Sequence, residues 1–379
     1  MKYIPFKLLI CFSLFILCAG CDENIEAERT IALDIDSCLA ESNVSIHDLF
    51  SKIEIVALDN TYPISNTVHS GLSYLAFDGS HFYVLDEKNY FVNVYDSCGN
   101  LLQHIDKVGR GHGEFTMAYQ IQYNDDLNLI EILNPMGKIL RFSSDSFTYH
   151  SEIDFMDHIR STHNYCRSGT DYILYSLRED DKLYSFNTYN GEIISYGYQP
   201  PEYLRKYIAP QSPFLTINGL SCIYQPYDGL IYKIDNDKIV PYIKWDLGRY
   251  KCQLRDIPQN KSNREYYDFI LEYSKRHLAA FVNIKSDGYA LYSSVIFKGE
   301  TYTLYHNLIN GNSYFFNNTL EEIKFLPELF YDNVMYKYVD SLYLDEYVRR
   351  DILDASSCAE YDEVLRHGGG AIIKYIFKE

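Results

Sequence analysis

The chain repeats one short pattern along most of its length. A run of β-formers, Phe82 to Asp86, is followed by a second, Val92 to Asp96, a turn at Gly99-Asn100 and a third run, Leu101 to Ile105. The first run recurs at Leu129–Leu133, Tyr172–Tyr175, Ser221–Tyr224 and Ala290–Ser293, and the second at Ile139–Phe142, Leu183–Asn187, Ile231–Asp235 and Tyr302–Tyr305. The turn recurs at Asn190-Gly191-Glu192, Asn236-Asp237 and Asn310-Gly311-Asn312. A period of roughly 40 to 50 residues with about four strands per unit is the pattern of propeller blades, which bury their faces by stacking on one another. A chain with 38 Tyr and 21 Phe is rich in residues that suit a pleated, half-buried surface, so chance alternation can imitate one such unit. It imitates five in register, with their turns, far less readily.

Two further β runs lack a partner nearby in sequence. Ser51 to Leu58 alternates, with Ile53, Ile55 and Ala57 on one face, and Ala371 to Phe377 closes the chain. Pairing them completes a composite sixth blade and removes an exposed sheet edge. The prediction is an all-β chain, a six-bladed β-propeller over residues 46–379 closed by its N- and C-terminal strands, with a few inserted helices. Ser262-Asn263-Arg264-Glu265 reads as a capping box, and Tyr266, Ile270, Tyr273, His277 and Phe281 follow at helical spacing, which predicts a helix over 263–281 in an insertion spanning 262–282. Leu344, Tyr347, Val348 and Ile352 predict another near 342–354, and a shorter one over 358–367 stops at Gly368-Gly369-Gly370.

The first residues carry an address. Lys2 and Lys7 flank a basic start, and Leu8 to Leu17 is an apolar run of signal-peptide length, too short to span a bilayer. It ends in Leu17-Cys18-Ala19-Gly20-Cys21, which resembles the lipobox of bacterial lipoproteins and implies a signal over 1–20 with Cys21 lipidated; an ordinary secretory signal cut near Ala19 is the alternative. Residues 21–45 read as a tether, acidic at Asp22, Glu23, Glu26 and Glu28, and similar to the export signal of surface-exposed lipoproteins of Bacteroidota, or else a plain solvated linker. The expected location is the cell envelope, on the outer membrane through the lipid anchor. A formal charge of −18 repels phosphate backbones, which excludes nucleic acid as a partner. Cys38, Cys98, Cys166, Cys222, Cys252 and Cys358 form no C-x-x-C pair and alternate with no His pairs, so no metal site is indicated, and their disulfide state stays open.

Phe50 to Leu58, the Leu85-Asp86 strand end, Val94-Tyr95-Asp96 before Gly99, and Gly109-Arg110-Gly111-His112-Gly113-Glu114-Phe115 together resemble the six-bladed β-propeller lipoproteins of Bacteroidota, an architecture akin to NHL-repeat propellers. The last segment is similar to that family's Gly-x-Gly-Pro-Gly-Glu-aromatic link, with His112 in place of Pro, and Gly368–Gly370 stand where the family often carries Asn-Pro. The resemblance implies fold and envelope location rather than activity.

The same link invites a phosphate-loop reading, which fails because Glu114 stands where glycine is needed and no Gly-Lys-Ser/Thr follows. Its glycines are expected to make a sharp joint between blades, with Glu114 accepting hydrogen bonds, and Arg110 and His112 are candidate binding residues at the mouth of the central channel. His158, Arg160 and His163 read as a solvated loop, and Asn124-Asp125-Asp126 and Asp235-Asn236-Asp237 as hairpin turns. No catalytic constellation, metal site or cofactor motif emerges. The expected role is a non-catalytic, envelope-anchored propeller binding a glycan, a peptide or an envelope protein. The alternatives are a lyase or hydrolase with its site at the channel mouth, or an accessory subunit of an outer-membrane uptake complex.

Overall fold

Alternation along the strands of the first blade decides what each side chain meets. Phe82, Tyr83, Val84 and Leu85 are all fully buried in the computed structural model. Tyr83, Leu85, Val92 and Val94 pack against Ile121, Ile130 and Ile132 of the second blade, whereas Phe82, Val84 and Tyr95 pack against Val56, Tyr336, Tyr338 and Ile372 of the sixth. A strand with a neighbouring blade on each side has no polar face, and for that reason these runs are apolar at consecutive positions. The structure describes residues 26–40, 44–65, 74–159, 161–176, 182–198, 212–227, 229–235, 238–258, 261–326 and 328–378. The signal segment and Cys21 lie outside them, as do Arg160 and the Asn236-Asp237 turn.

Six sheets form the ring. From the axis outward, blade 1 holds Leu75–Phe77, His81–Asp86, Phe91–Asp96 and Leu101–Asp106; blade 2 holds Gln120–Asn124, Leu129–Asn134, Lys138–Ser143 and Tyr149–Asp154. Blade 3 holds Thr162–Ser168, Asp171–Ser176, Leu183–Asn187 and Ile193–Ser195; blade 4 holds Phe214–Ile217, Leu220–Tyr224, Leu230–Asp235 and Lys238–Asp246. Blade 5 holds Ala280–Ser286, Ala290–Phe297, Glu300–Asn307 and Ser313–Phe316. Blade 6 is composite, running Leu329–Tyr331, Val334–Asp340, Gly370–Phe377 and, outermost, Phe50–Ala57. The closure expected from the sequence is present, with Ile53 opposite Tyr375, Ile55 opposite Ile373 and Ala57 opposite Ala371.

The segment read as a tether is in part structure. Arg29–Ala32 adds to blade 4 as a fifth strand, parallel to Lys238–Asp246, with Thr30 opposite Lys244 and Ile31 opposite Trp245. Ile31, Leu33 and Ile35 alternate and are all buried, a period-two signal that the acidic residues upstream obscure. The added strand covers an edge that would otherwise stand open.

The helices also differ from their expected limits. The first insertion helix covers Asn263–Ser274, with the Ser262–Glu265 capping box in place, and ends well before 281 because Ala280 and Phe281 start the inner strand of blade 5. The pattern around 342–354 resolves into a single turn, Leu344–Tyr347, between two 3-10 turns. The last helix covers Ala355–His367, starts on the Asp354 side chain and stops at Gly368, whose φ of 66° is the left-handed conformation glycine adopts without penalty.

Candidate functional site

Inner strands surround the axis, and their hairpin ends build a funnel of about 610 Å3 to which all six blades contribute. Its wall includes Phe77 and Asp78 from blade 1, Tyr123 and Asp125 from blade 2, and Arg167 from blade 3. Thr216 comes from blade 4, Lys285 from blade 5, and Glu328, Phe330 and Tyr331 from blade 6. Aromatic rings therefore alternate with charges around one opening. Phe77 meets Tyr331 edge-on with centroids 5.2 Å apart, and Phe330 stacks on the buried Tyr292 at 4.6 Å, which fixes both rings of the blade 6 wall.

Apart from Lys285, the charges are held in place by hydrogen bonds and ion pairs. Arg167 Nη2 donates to Asp125 Oδ1 at 2.7 Å, and its Nη1 donates to Asn124 Oδ1 at 2.6 Å and Asp126 Oδ2 at 3.1 Å. The guanidinium holds the Asp125 carboxyl below the usual carboxylate range. Asn124 to Asp126 thus do turn the hairpin of blade 2, as read, and in the same geometry they grip an arginine from blade 3. Asp78 accepts from Tyr83 Oη at 2.6 Å and from the His81 backbone at 2.7 Å. Burial opposes its ionisation, but bonds from Tyr83 and His81 outweigh that and keep the carboxyl below its usual value. Glu328 accepts from Lys337 Nζ and from the Tyr338 N–H, each at 3.0 Å.

A second set of bonds ties neighbouring inner strands together. Gln120 of blade 2 donates to the carbonyl of Tyr165 at 3.0 Å and accepts from its N–H at 2.9 Å, and Gln122 donates to the same carbonyl at 3.2 Å. These amides satisfy backbone groups on the axis-facing edge of blade 3, which has no further strand to pair with.

Arg110 and His112 are elsewhere. Both are exposed on the link between blades 1 and 2, and the His112 ring meets Tyr149, the first residue of the outermost strand of blade 2, at 5.0 Å. They belong to the outer rim, and the funnel wall does not include them. The glycines of this link act mainly by leaving space. A Cβ on Gly109 would come within 2.0 Å of Glu114 Oε2, and one on Gly111 within 3.0 Å, while Gly113 has a φ of +73°. Glu114 folds back into that space and accepts from the Gly111 N–H at 2.7 Å. His158 is exposed on a turn, whereas His163 sits on the inner strand of blade 3 rather than in a solvated loop, edge-on to Tyr119 at 5.6 Å, with its pKa lowered by burial. The two histidines do not converge. Among the described residues no cluster of three or more His, Cys, Asp or Glu side chains could hold a metal, and no helix is long and apolar enough to cross a membrane.

Reading the sequence did not single out Asp78, Arg167, Lys285 or Glu328. Each lies next to or within an inner strand, where short length and mixed polarity blur the period-two signal; the hairpin turns at Asn124–Asp126 and Asp287-Gly288 were the available landmarks.

Comparison with known proteins agrees with this architecture. A solved structure from Bacteroides fragilis, described as an exported protein, matches with a TM-score of 0.70 at 14% identity, covering 93% of this chain and 99% of the other. A DUF4221 family member from Bacteroides vulgatus matches with a TM-score of 0.54 at 12% identity, covering 89% and 99%. At such identities the likeness is one of fold. No curated protein matches the sequence. The model of the family described as a domain of unknown function, DUF4934, matches residues 30–364, nearly the whole propeller, and the chain belongs to that family.

Proposed function

We propose that this chain is an envelope-anchored, non-catalytic binding propeller that takes its ligand in the inner funnel. The observation that carries this reading is the funnel itself. Its volume of about 610 Å3 is within the range of ligand pockets, and every blade contributes to a wall that combines aromatic rings with a few charges. Asp78, Asp125, Arg167 and Glu328 are each engaged by neighbouring protein groups, an arrangement that suits recognition by a preorganised wall more than proton transfer to a substrate. The lipobox-like segment ending at Cys21 supports a lipid anchor, and the description of the Bacteroides fragilis structure as that of an exported protein is in keeping with it. A glycan, a peptide or an envelope protein remains the partner class, with Tyr and Phe rings offering stacking faces.

The test uses glycan and peptide arrays probed with the full chain carrying Cys21→Ser, alone and combined with Thr216→Trp. Thr216 is exposed at the funnel wall, so a tryptophan there obstructs the opening without disturbing the core. Array binding that Thr216→Trp abolishes supports the funnel as the site, and binding that it leaves intact overturns it. Turnover of a bound ligand would favour the lyase or hydrolase reading.

A further inference from the structure

Two cations line the funnel, and they stand in different situations. Arg167 is committed to Asp125, Asp126 and Asn124. The side chain of Lys285, on the inner strand of blade 5, lies within the funnel wall and makes no hydrogen bond or ion pair with any described residue. The Glu328 carboxylate acts on it electrostatically without bonding to it, and both oxygens of Glu328 are engaged, by Lys337 and by the Tyr338 N–H. Lys285 is half-buried in the wall, and burial pushes its pKa down, the direction expected of an ammonium partly shielded from water with no close counter-ion.

We propose that Lys285 is the counter-ion for a carboxylate on the funnel's ligand, and that this carboxylate is carried on an apolar or aromatic body. The inference rests on the funnel being the binding site. The blades on either side of Lys285 offer Phe214 and Leu215 from blade 4 and Leu329 and Phe330 from blade 6, so apolar surface flanks the ammonium. A carboxylate would give Lys285 a charged acceptor in place of water, through a charge-assisted bond strengthened by the partly shielded setting. A single negative charge fits better than a phosphate dianion, because Asp78, Asp125 and Glu328 share the same wall and the chain as a whole carries −18.

The experiment is calorimetric titration of the full chain carrying Cys21→Ser with N-acetylphenylalanine and with its amide, which share a body and differ in charge. The acid is expected to bind at least about tenfold more tightly than the amide, the scale of one charge-assisted bond. Lys285→Met, which keeps an unbranched apolar stem and removes the ammonium, is expected to erase the difference while the melting temperature stays close to that of the parent. Equal affinity for acid and amide overturns the inference, and so does a preference that survives Lys285→Met, or failure of both probes to bind. If both bind equally and Thr216→Trp removes both, the funnel is still the binding site and Lys285 alone is misassigned; if both bind regardless of Thr216→Trp, the funnel assignment falls with it.

Discussion

The Nε of Arg141 lies 3.1 Å from Oε1 of Glu131, and that carboxylate has no exposure to solvent. Around this pair the interface of blades 2 and 3 is built from hydrogen bonds. Arg141 Nη2 donates to Tyr172 Oη at 2.7 Å, Tyr172 donates to Glu131, Asn124 Nδ2 donates to Glu131 Oε1 at 2.9 Å, and Tyr165 Oη donates to Oε2 at 3.3 Å. Asn124 also accepts from Arg167, so the buried network continues to the funnel wall. Glu131→Ala leaves a mostly buried guanidinium without its counter-ion and is expected to cost about 3 kcal/mol or more. Denaturant unfolding measures this, and a loss under about 1 kcal/mol would show that the network relaxes without it.

Gly99 marks the place where blade 1 docks on the closing blade. A Cβ there would come within 2.0 Å of the Ala57 carbonyl oxygen, its φ is +87°, and its own carbonyl accepts from the Asp59 N–H at 2.9 Å. Gly311 has a similar φ of +78° but open space around it. Gly99→Ala should therefore cost about 2 kcal/mol or more, and Gly311→Ala about 1 kcal/mol, the backbone strain alone. Equal losses in urea unfolding would remove the docking contact from the account.

His306 supplies a pH dependence. It is 5% exposed, Nδ1 is 2.8 Å from Ser313 Oγ, and its ring meets Trp245 edge-on at 5.8 Å. Burial, with a smaller contribution from Arg29, lowers its pKa to about 4. The unfolded chain then binds the extra proton in the window between about 4 and the ordinary value near 6.5, so stability is complete above that window and falls as the pH drops through it. The loss expected by pH 4 is about 3 kcal/mol at most. His306→Gln should flatten this part of the stability profile, and an unchanged slope in that variant would assign the dependence to other groups.

The closing strand Gly370–Phe377 has partners on both sides, Val334–Asp340 and Phe50–Ala57. Deleting residues 372–379 removes Ile372, Ile373 and Tyr375, all fully buried, and leaves two strands with open edges. The truncated chain is expected to aggregate or lose near-UV circular dichroism. A monomer with native dichroism would show that the ring closes without it.

The proposed membrane attachment rests on one residue, Cys21. If Cys21 carries the lipid, Cys21→Ser releases the protein to the soluble fraction on ultracentrifugation, and a variant that still sediments with membranes contradicts the anchor.

The sequence by itself determined the blade count, the closure and the course of the middle strands. Those strands are buried on both faces by neighbouring blades, so runs such as Phe82 to Leu85 and Leu129 to Leu133 carry a continuous apolar signal that survives without tertiary context. The close of the chain was legible for the same reason, since Ala371 to Tyr375 and Ile53 to Ala57 each demand a partner. Helix ends were less so, because the spacing of Tyr273, His277 and Phe281 continues past Ser274 into residues that pack as strand.

Tertiary structure alone decided the funnel. Arg167 and Lys285 sit on inner strands of blades 3 and 5, far apart in sequence, and face one cavity because the ring brings all six inner strands to one axis. Arg110 and His112, which stand out in the sequence among glycines, go to the outer rim because the link between blades begins at an outermost strand. Local pattern reports which side chains must leave water; only the closed ring fixes which charges share the space left at its centre.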